Sequence, residues 1–317
     1  MSEFSLIQRY FTRPTPGAVL GVGDDAALVR VASGMELAIS TDMLVSGTHF
    51  FHDTDPFKLG HKTLAVNLSD MAAMGAQPRW ATLALSLPTE DEGWLEKFSA
   101  GFFSLADQFQ VELIGGDTTR GPLNLCVTIM GEVPQGTALR RDGARVGDEI
   151  WVSGVLGEAA IALAHMQGKV SLSEEDLRVA SQALHLPQPR VELGIALRGL
   201  ATSAIDISDG LLADLGHILE RSNAGARIQY CALPVSVCNA VVVPQALAQR
   251  YLLAGGDDYE LCFTAPIENH AELEMLSARM KIPLTCIGKI CAGSGCKVYA
   301  EDGSEMTIME TGYEHFK

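Results

Sequence analysis

The sequence predicts a mixed α/β fold built from two domains. Its 317 residues are enough for two compact domains, and a composition of 47% hydrophobic and 20% charged residues is ordinary for a globular chain. Strand-like and helix-like segments alternate in both halves, with several strands adjacent in sequence. The polar, glycine-bearing segment TALRRDGARVGD separates the halves. We therefore predict one domain over residues 1–137 and a second over residues 138–317.

The first half opens with a Gly/Asp loop, GVGDDAALVR, which runs into a predicted strand at residues 36–41. A helix is predicted over residues 57–75, and an amphipathic helix follows over residues 94–109. Large apolar side chains recur in that second helix near the i, i+4, i+8 spacing of a buried face: Trp94, Phe98, Phe102, Leu105 and Phe109. The segments VELIGG and LNLCVTIMGEV are predicted strands, and the latter is long and apolar enough to be central in a sheet.

The second half repeats this alternation. We predict strands at IWVSG, SAIDIS, ARIQY, DYELCFT and PLTCIGKI. We predict helices at GEAAIALAHM, 174–185, 190–200, GLLADLGHILERS, 245–253 and 268–280. Strands and helices in this order favour an α/β domain.

The charge balance excludes some partners. The chain has 23 Lys and Arg against 39 Asp and Glu, a formal net charge of -16. Nucleic acids and anionic membranes both require cationic side chains against their phosphates, so neither is expected as a partner. An acidic protein can still bind small phosphates when divalent cations lie between the two.

The N-terminal segment lacks an apolar core of the signal-peptide kind, and no run approaches the 18 apolar residues of a membrane span. The seven cysteines form no CxxC pair, and the chain is too large to need disulfides. The spacing of Cys286, Cys291 and Cys296 is more typical of a strand and turn than of a zinc site. We expect free thiols in a cytoplasmic protein.

Aspartate recurs in small-residue loops at the ends of predicted strands. The positions are Asp24, Asp25, Asp42, Asp117, Asp206, Asp209, Asp257 and Asp258. Each one alone is a common turn or N-cap residue. Together they predict something more, because gathered carboxylates need cations to coexist.

Asp70 differs because it lies inside a predicted helix with almost no other charge around it. Asn67 and Asp70 are three residues apart, so both can point at one site from the same helix face. A solvated helix face is the alternative, and the apolar surroundings disfavour it. Asp70 is therefore expected to have a partner.

Oxygen-rich sites of this kind suit Mg²⁺, which uses one or two protein carboxylates and completes its shell with water and phosphate. A phosphoryl donor and a phosphorylated acceptor with about two charges each repel by roughly 16 kcal/mol at ~4 Å and a dielectric of ~20. No lysine cluster near the motifs offsets this repulsion. Several Mg²⁺ ions between the phosphates would offset it. The sequence has no P-loop and no protein-kinase signature.

Seven segments, in order, resemble the thiamine-monophosphate kinase family, which belongs to the aminoimidazole ribonucleotide synthetase superfamily. They are GVGDDAA, AISTDMLVSGTHF, AVNLSDMAAMGA, LIGGDTTRG, SAIDISDGL, AGGDDYELCF and GYEHF. The resemblance implies that superfamily's two-domain fold, with an N-terminal mixed-sheet domain that dimerises and binds ATP and Mg²⁺, and a C-terminal α/β domain that completes the active site. It also implies ATP-dependent phosphorylation of thiamine monophosphate to thiamine diphosphate by a homodimer with several Mg²⁺ ions.

The resemblance also implies roles for individual residues. Magnesium would be held by Asp25, Ser40, Thr41, Asp42, Asp70, Asp117, Asp206 and Asp209. ATP would be contacted by Gly116, Asp117, Arg141 and Ser208, and thiamine monophosphate by His49, Asp257 and Tyr313. The family pattern has Glu at the position of Asp257, whose side chain is one methylene shorter.

Taken by themselves, three of these residues have simpler interpretations. Arg141 can be a phosphate donor or a solvated linker charge. His49, beside two phenylalanines, can be a buried and satisfied histidine, and Tyr313 can be ordinary packing or a ring that stacks on a cationic heterocycle. No catalytic base is expected, because an acceptor phosphate with a second pKa near 6 is already anionic.

Two other functions remain open from the residues. One is a related ligase, in which ATP activates a carboxamide oxygen and an amidine forms. The other is a protein that binds cations without catalysis.

Overall fold

Long strands with alternating buried and exposed side chains build the N-terminal half of the protein. The structure is a computed structural model that describes residues 3–235 and 244–315. The chain divides into two units. The first contains Met1–Met71 and Ala76–Gly136, and the second contains Ala72–Gly75 and Thr137–Lys317.

The first unit has a four-stranded sheet in the order β1-β4-β2-β3. The strands are β1 (Met35–Val45), β2 (Gln77–Leu87), β3 (Glu112–Arg120) and β4 (Asn124–Pro134). β4 pairs antiparallel with both β1 and β2, whereas β2 and β3 are parallel. The apolar segment that predicted a central strand is β4, and it lies inside the sheet as expected.

In the described residues of the first half, the helices are α1 (Glu3–Tyr10), α2 (Pro56–Ala73) and α3 (Glu92–Phe109). α2 and α3 approach each other closely. A Cβ on Gly60 would lie 2.0 Å from the Phe98 carbonyl oxygen, and a Cβ on Gly101 would lie 1.9 Å from that of Phe57. Phe98 and Phe102 are fully buried, which confirms the predicted core face of α3.

β2 is missing from the sequence prediction although its pattern was informative. Its burial alternates along much of the strand, with Ala81, Leu83, Leu85 and Leu87 inside. The alternation is the period-2 signal of a half-buried strand. The structure pairs this strand with both β4 and β3.

The second unit has a six-stranded sheet in the order β10-β7-β9-β5-β8-β6. Its strands are β5 (Glu149–Ser153), β6 (Ser203–Asp206), β7 (Gly225–Gln229), β8 (Leu261–Ala265), β9 (Leu284–Cys291) and β10 (Gly295–Tyr299). The pairs are antiparallel except for β10 with β7. The sheet is therefore mixed and largely antiparallel.

The helices of the second unit are α4 (Glu158–Met166), α5 (Glu174–His185), α6 (Val191–Leu197), α7 (Leu211–Ser222), α8 (Gln245–Ala254) and α9 (His270–Met280). α7 packs its apolar face into the main core of this unit through Leu211, Leu215 and Ile218. The loop that precedes α7 is thereby tied to a rigid element. None of the helices in the described ranges has the length and apolarity that crossing a membrane requires.

Candidate functional site

Ser40 and Asp42 lie on the face of β1 that meets helix α2. Alternation along a strand puts them on one face and Thr41 on the other. The Ser40 hydroxyl donates a 2.5 Å hydrogen bond to Oδ2 of Asp70, and the Asp42 amide donates a 3.3 Å bond to Oδ1 of Asn67. Asn67 and Asp70, three residues apart on α2, therefore both reach β1, as their spacing predicts.

Thr41 and Asp117 lie on the opposite, open face of the same sheet. The strand register pairs Met43 with Cys126, Cys126 with Ala84, and Ala84 with Asp117. These four residues therefore lie on this face. Both side chains are exposed, and the Thr41 hydroxyl is 2.9 Å from that of Thr128. The predicted ligands of the first unit are thus divided between two faces of one sheet.

Asp42 and Asp117 lie inside strands, which corrects the expectation that they sit in loops at strand ends. Asp42 pairs with Val127 in the middle of β1, and Asp117 pairs with Ala84 within β3. The register of β3 against β2 shifts at a bulge, where Ala81 pairs with Leu113 and Thr82 with Gly115, and pairing then continues through both glycines to Asp117. The small residues around both aspartates suggested turns, but they belong to strands.

β1 and β3 are the two edges of the sheet, with β4 and β2 between them. Three strand spacings of about 4.8 Å place Asp42 and Asp117 about 14 Å apart. Ligands of one Mg²⁺ lie about 2.1 Å from the ion. The two carboxylates of one chain therefore cannot bind the same ion.

Gly116, beside Asp117, occupies a position that only glycine fits. Its φ is +150°, and a Cβ there would lie 1.9 Å from the carbonyl oxygen of Leu83. The close approach of the two strands explains the glycine without reference to a ligand. It also fixes the backbone from which the Asp117 side chain projects.

Two further predicted residues of the first unit lie in loops. Asp25 is exposed, and its amide donates a 2.9 Å hydrogen bond to Oδ1 of Asp24. His49 is half-buried, and its Nδ1 accepts a 3.0 Å hydrogen bond from the Val45 amide. That bond places the proton of a neutral His49 ring on Nε2.

In the second unit, Asp206 ends β6 and is 5% exposed. Ser208 and Asp209 follow in the loop before α7. The amides of this loop converge on one carboxylate: Oδ2 of Asp214 accepts hydrogen bonds from Ser208, Asp209 and Gly210 at 3.0, 3.0 and 3.1 Å. Burial raises the pKa of Asp214 to about 7.

The same loop meets the two predicted substrate residues. The Ser208 carbonyl accepts a 2.9 Å hydrogen bond from the Asp257 amide, and the Asp209 carbonyl accepts a 3.1 Å bond from the Tyr313 amide. The structure therefore brings together a predicted ATP residue, a predicted metal residue and both predicted substrate residues of this unit.

The segment from Asp257 to Tyr259 has an unusual backbone. Both residues have positive φ, +69° and +49°, which costs a non-glycine residue about 1–3 kcal/mol. The Tyr259 hydroxyl donates a 2.9 Å hydrogen bond to Oδ1 of Asp257. Between them, Asp258 turns away and accepts from the Gly157 amide at 3.0 Å, and burial raises the Asp258 pKa well above its usual range.

Arg141 lies on the surface and forms no ion pair within the part of the chain that the structure describes. Its neighbours Arg140 and Asp142 pair with each other, at 2.6 Å between Nη2 and Oδ2. The Arg141 carbonyl accepts a 2.9 Å hydrogen bond from the Ser222 hydroxyl. This anchor holds the backbone while the guanidinium stays available.

The donor chemistry fits Mg²⁺. The predicted set consists of carboxylate and hydroxyl oxygens, the hard ligands that this ion prefers. Within residues 3–235 and 244–315, no three His, Cys, Asp or Glu side chains are grouped closely enough to hold a metal ion. Mg²⁺ commonly takes only one or two protein carboxylates and fills its shell with water and phosphate, so a looser set is compatible with it.

Sequence reasoning missed Tyr259 and Asp214. Asp214 could have been noticed as an acidic residue among the apolar positions of GLLADLGHIL. Tyr259 carried no such signal, because its role depends on a left-handed backbone at two nearly adjacent residues.

Known proteins resemble the chain over nearly its whole length. The domain family described as AIR synthase related protein, N-terminal domain, matches residues 23–133, and the corresponding C-terminal domain family matches residues 145–301. The thiamine-monophosphate kinase of Salmonella typhimurium is 48% identical over 318 residues, covering 99% of this chain and 98% of that protein.

Solved structures agree. The crystal structure of thiamine-monophosphate kinase from Stenotrophomonas maltophilia K279a has a TM-score of 0.88 at 49% identity, covering 96% of this chain and 98% of that one. AaThiL complexed with AMPPCP and TMP has a TM-score of 0.77 at 30% identity, covering 99% and 96%. Both the predicted two-domain fold and the resemblance read from the seven motifs are confirmed, and the chain belongs to the thiamine-monophosphate kinase family.

Proposed function

We propose that this chain transfers the γ-phosphoryl group of ATP to the phosphate of thiamine monophosphate, giving thiamine diphosphate and ADP. The observation that carries the proposal is the 48% identity to a thiamine-monophosphate kinase over 99% of the chain. The AMPPCP and TMP bound by AaThiL are the kinds of ligand that such a reaction needs.

The reaction needs no side chain that acts as a general base. The acceptor phosphate has a second pKa near 6 and is anionic at neutral pH, so no side chain has to remove a proton. Catalysis then depends on alignment of donor and acceptor and on neutralisation of their charges.

We assign substrate binding to His49, Asp257 and Tyr313. The hydrogen bonds of Ser208 and Asp209 to the Asp257 and Tyr313 amides support the role of the latter two, because they link these residues to the loop proposed for ATP and metal. The Tyr313 side chain is 51% exposed, so its ring is accessible for stacking on a thiamine heterocycle. Gly116, Asp117, Arg141 and Ser208 are the proposed ATP contacts.

We assign Mg²⁺ binding to the oxygens of Asp25, Ser40, Thr41, Asp42, Asp70, Asp117, Asp206 and Asp209. When bound, the ions would neutralise the charge of the phosphates. The hydrogen bond from Ser40 to Asp70 supports a role for this pair, because it holds two of the proposed donors in register. The N-terminal domain, residues 1–137, would bind ATP and Mg²⁺, and residues 138–317 would complete the active site.

A homodimer accounts for the distance between Asp42 and Asp117. We propose that, at each site, one of the two carboxylates comes from a second copy of the chain. The edge strand β1 offers a surface for pairing, since Ile39 is 61% and Met43 52% exposed on it. Two-fold symmetry would then bring β1 of one protomer and β3 of its partner to each site.

We propose a cytoplasmic location. Free thiols are typical of a reducing compartment, and the six cysteines in the described residues are all free.

Product identification tests the proposed reaction. Purified protein is incubated with MgATP and thiamine monophosphate, with free thiamine as a parallel acceptor, and the products are separated and followed by phosphorus NMR. We expect thiamine diphosphate in amounts equal to the ADP formed. Release of inorganic phosphate without phosphorylated acceptor would point to the ligase alternative, and Mg²⁺ uptake without ATP turnover to a non-catalytic cation-binding protein.

A further inference from the structure

The backbone of the loop before α7 is hydrogen-bonded to a single buried carboxylate. Asp214 is 3% exposed, and its Oδ2 accepts from three successive backbone amides, those of residues 208–210, at 3.0–3.1 Å. An ordinary N-cap side chain precedes the helix and accepts from the first turn. Here the carboxylate lies inside the first turn and reaches back to the loop, so its bonds serve the loop more than the helix.

The opposite side of the same peptide units faces the substrate residues. Where the amides point to Asp214, the carbonyls of Ser208 and Asp209 accept from Asp257 and Tyr313. A peptide unit is planar, so fixing its N–H also fixes the direction of the neighbouring C=O groups. The loop therefore has Asp214 on one side and two substrate-binding segments on the other.

Gly210 completes this arrangement. Its φ of +126° lets the chain turn from the loop into α7, and a Cβ there would lie 2.7 Å from the backbone carbon of Ala254. The loop has little room to shift as a unit. Its orientation is set by the three hydrogen bonds to Asp214.

We infer that Asp214 is a positioning residue, which orients the Ser208–Asp209 loop so that Asp209, Asp257 and Tyr313 are held in one fixed arrangement. The inference rests on the proposed function for the roles of those three residues. The structural part of the inference is that one carboxylate orders three segments of the chain. It rests on the hydrogen bonds alone.

The test compares Asp214→Ala with Asp214→Asn. Alanine removes the acceptor, whereas asparagine keeps one carbonyl oxygen of nearly the same reach. Ile218→Val is the matched control, since Ile218 is fully buried on the same helix and belongs to the apolar core of this unit. It perturbs α7 without changing the loop's hydrogen bonds.

The first readout is amide hydrogen exchange with residue-level fragmentation. In the wild type, the amides of residues 208–210 should exchange as slowly as those in the interior of α7. In Asp214→Ala they should exchange at least about tenfold faster, and the amides of Asp257 and Tyr313 should accelerate with them. Asp214→Asn and Ile218→Val should leave the pattern within about threefold of wild type.

The second readout is equilibrium binding of AMPPCP with Mg²⁺, together with kcat and KM for thiamine monophosphate. We expect Asp214→Ala to weaken AMPPCP binding and raise KM by about tenfold each, with recovery in Asp214→Asn. A residue that only stabilised α7 would instead give the same result as Ile218→Val.

Fast exchange of residues 208–210 in the wild type would overturn the inference even if Asp214→Ala failed to fold. So would unchanged exchange at Asp257 and Tyr313 in a folded Asp214→Ala protein. If the wild type converted no thiamine monophosphate but the exchange pattern appeared as expected, the proposed function would fail while the positioning role of Asp214 stood.

Discussion

The hydroxyl of Ser40 on β1 donates a 2.5 Å hydrogen bond to the carboxylate of Asp70 on α2. It joins two elements that are separated by 30 residues in the chain and places two proposed magnesium donors in direct contact. Because Asp70 also belongs to a helix that packs on the sheet, its position is set by the core of the unit. The pair is therefore pre-organised before any ligand arrives.

Asp70→Asn should lower kcat by about a hundredfold, by analogy with the loss of one electrostatic stabiliser. The fold should survive, because the amide oxygen of asparagine can still accept from Ser40. Steady-state kinetics and circular dichroism of the variant check this. Asp53→Asn, an exposed aspartate in the loop before α2, is the control. Near-normal turnover in Asp70→Asn would remove this residue from the proposed metal set.

Tyr259→Phe should raise KM for thiamine monophosphate by about five- to tenfold and change kcat little, because the Asp257 carboxylate loses the hydroxyl that orients it. Tyr230→Phe, at a half-buried tyrosine of the same unit, is the matched control. Initial-rate kinetics at varied thiamine monophosphate measure the effect. A five- to tenfold fall in kcat with an unchanged KM would show that Tyr259 does not act through substrate binding.

Gly116→Ala should destabilise the first unit by about 2 kcal/mol or more, because the new Cβ meets the Leu83 carbonyl and the residue has positive φ. Its neighbour provides the comparison: at Gly115 the nearest contact to an added Cβ is 3.8 Å away, so Gly115→Ala should stay within about 0.5 kcal/mol. Urea unfolding of both variants gives the difference. Similar losses in the two would mean that the β2–β3 approach is not tight.

His270 should make stability depend on pH. Its hydrogen bond to Glu149, at 2.7 Å, raises the His270 pKa, and Glu274 at 3.6 Å acts in the same direction. A raised histidine pKa stabilises the fold below the unfolded value of about 6.5, and this contribution disappears as pH rises through the folded pKa. The stability difference between wild type and His270→Gln should therefore be larger at about pH 6 than at about pH 8.5. Urea unfolding at both pH values measures it, and a difference that grows with pH would contradict the ion pair.

Local patterns predicted the parts of the fold and site that depend on near neighbours. The three-residue spacing of Asn67 and Asp70 was enough to place both on one helix face, and the apolar run of β4 was enough to place it inside a sheet. The motif order also identified the family. The spacing and the apolar run are signals within a few residues of sequence, and the motifs are short segments recognised one by one.

Strand order and backbone conformation were not accessible in this way. Asp42 and Asp117 lie at opposite edges because β4 and β2 insert between their strands, and no local pattern records that pairing. The hydrogen bonds of Asp214 run backward along the chain to a loop, and the contact between Asp209 and Tyr313 joins residues 104 positions apart in sequence. Long-range pairing decides such features, and a single sequence does not specify it.

Mixing two inactive variants tests most directly whether the separated carboxylates serve one pair of phosphates. Asp42→Asn and Asp117→Asn should each lose about a hundredfold in kcat. Partial unfolding and joint refolding of an equal mixture should form mixed dimers with one intact site in two, which restores about a quarter of wild-type activity. Activity that stays at the level of the separate variants, in a mixture shown to contain mixed dimers, would contradict a site shared between protomers.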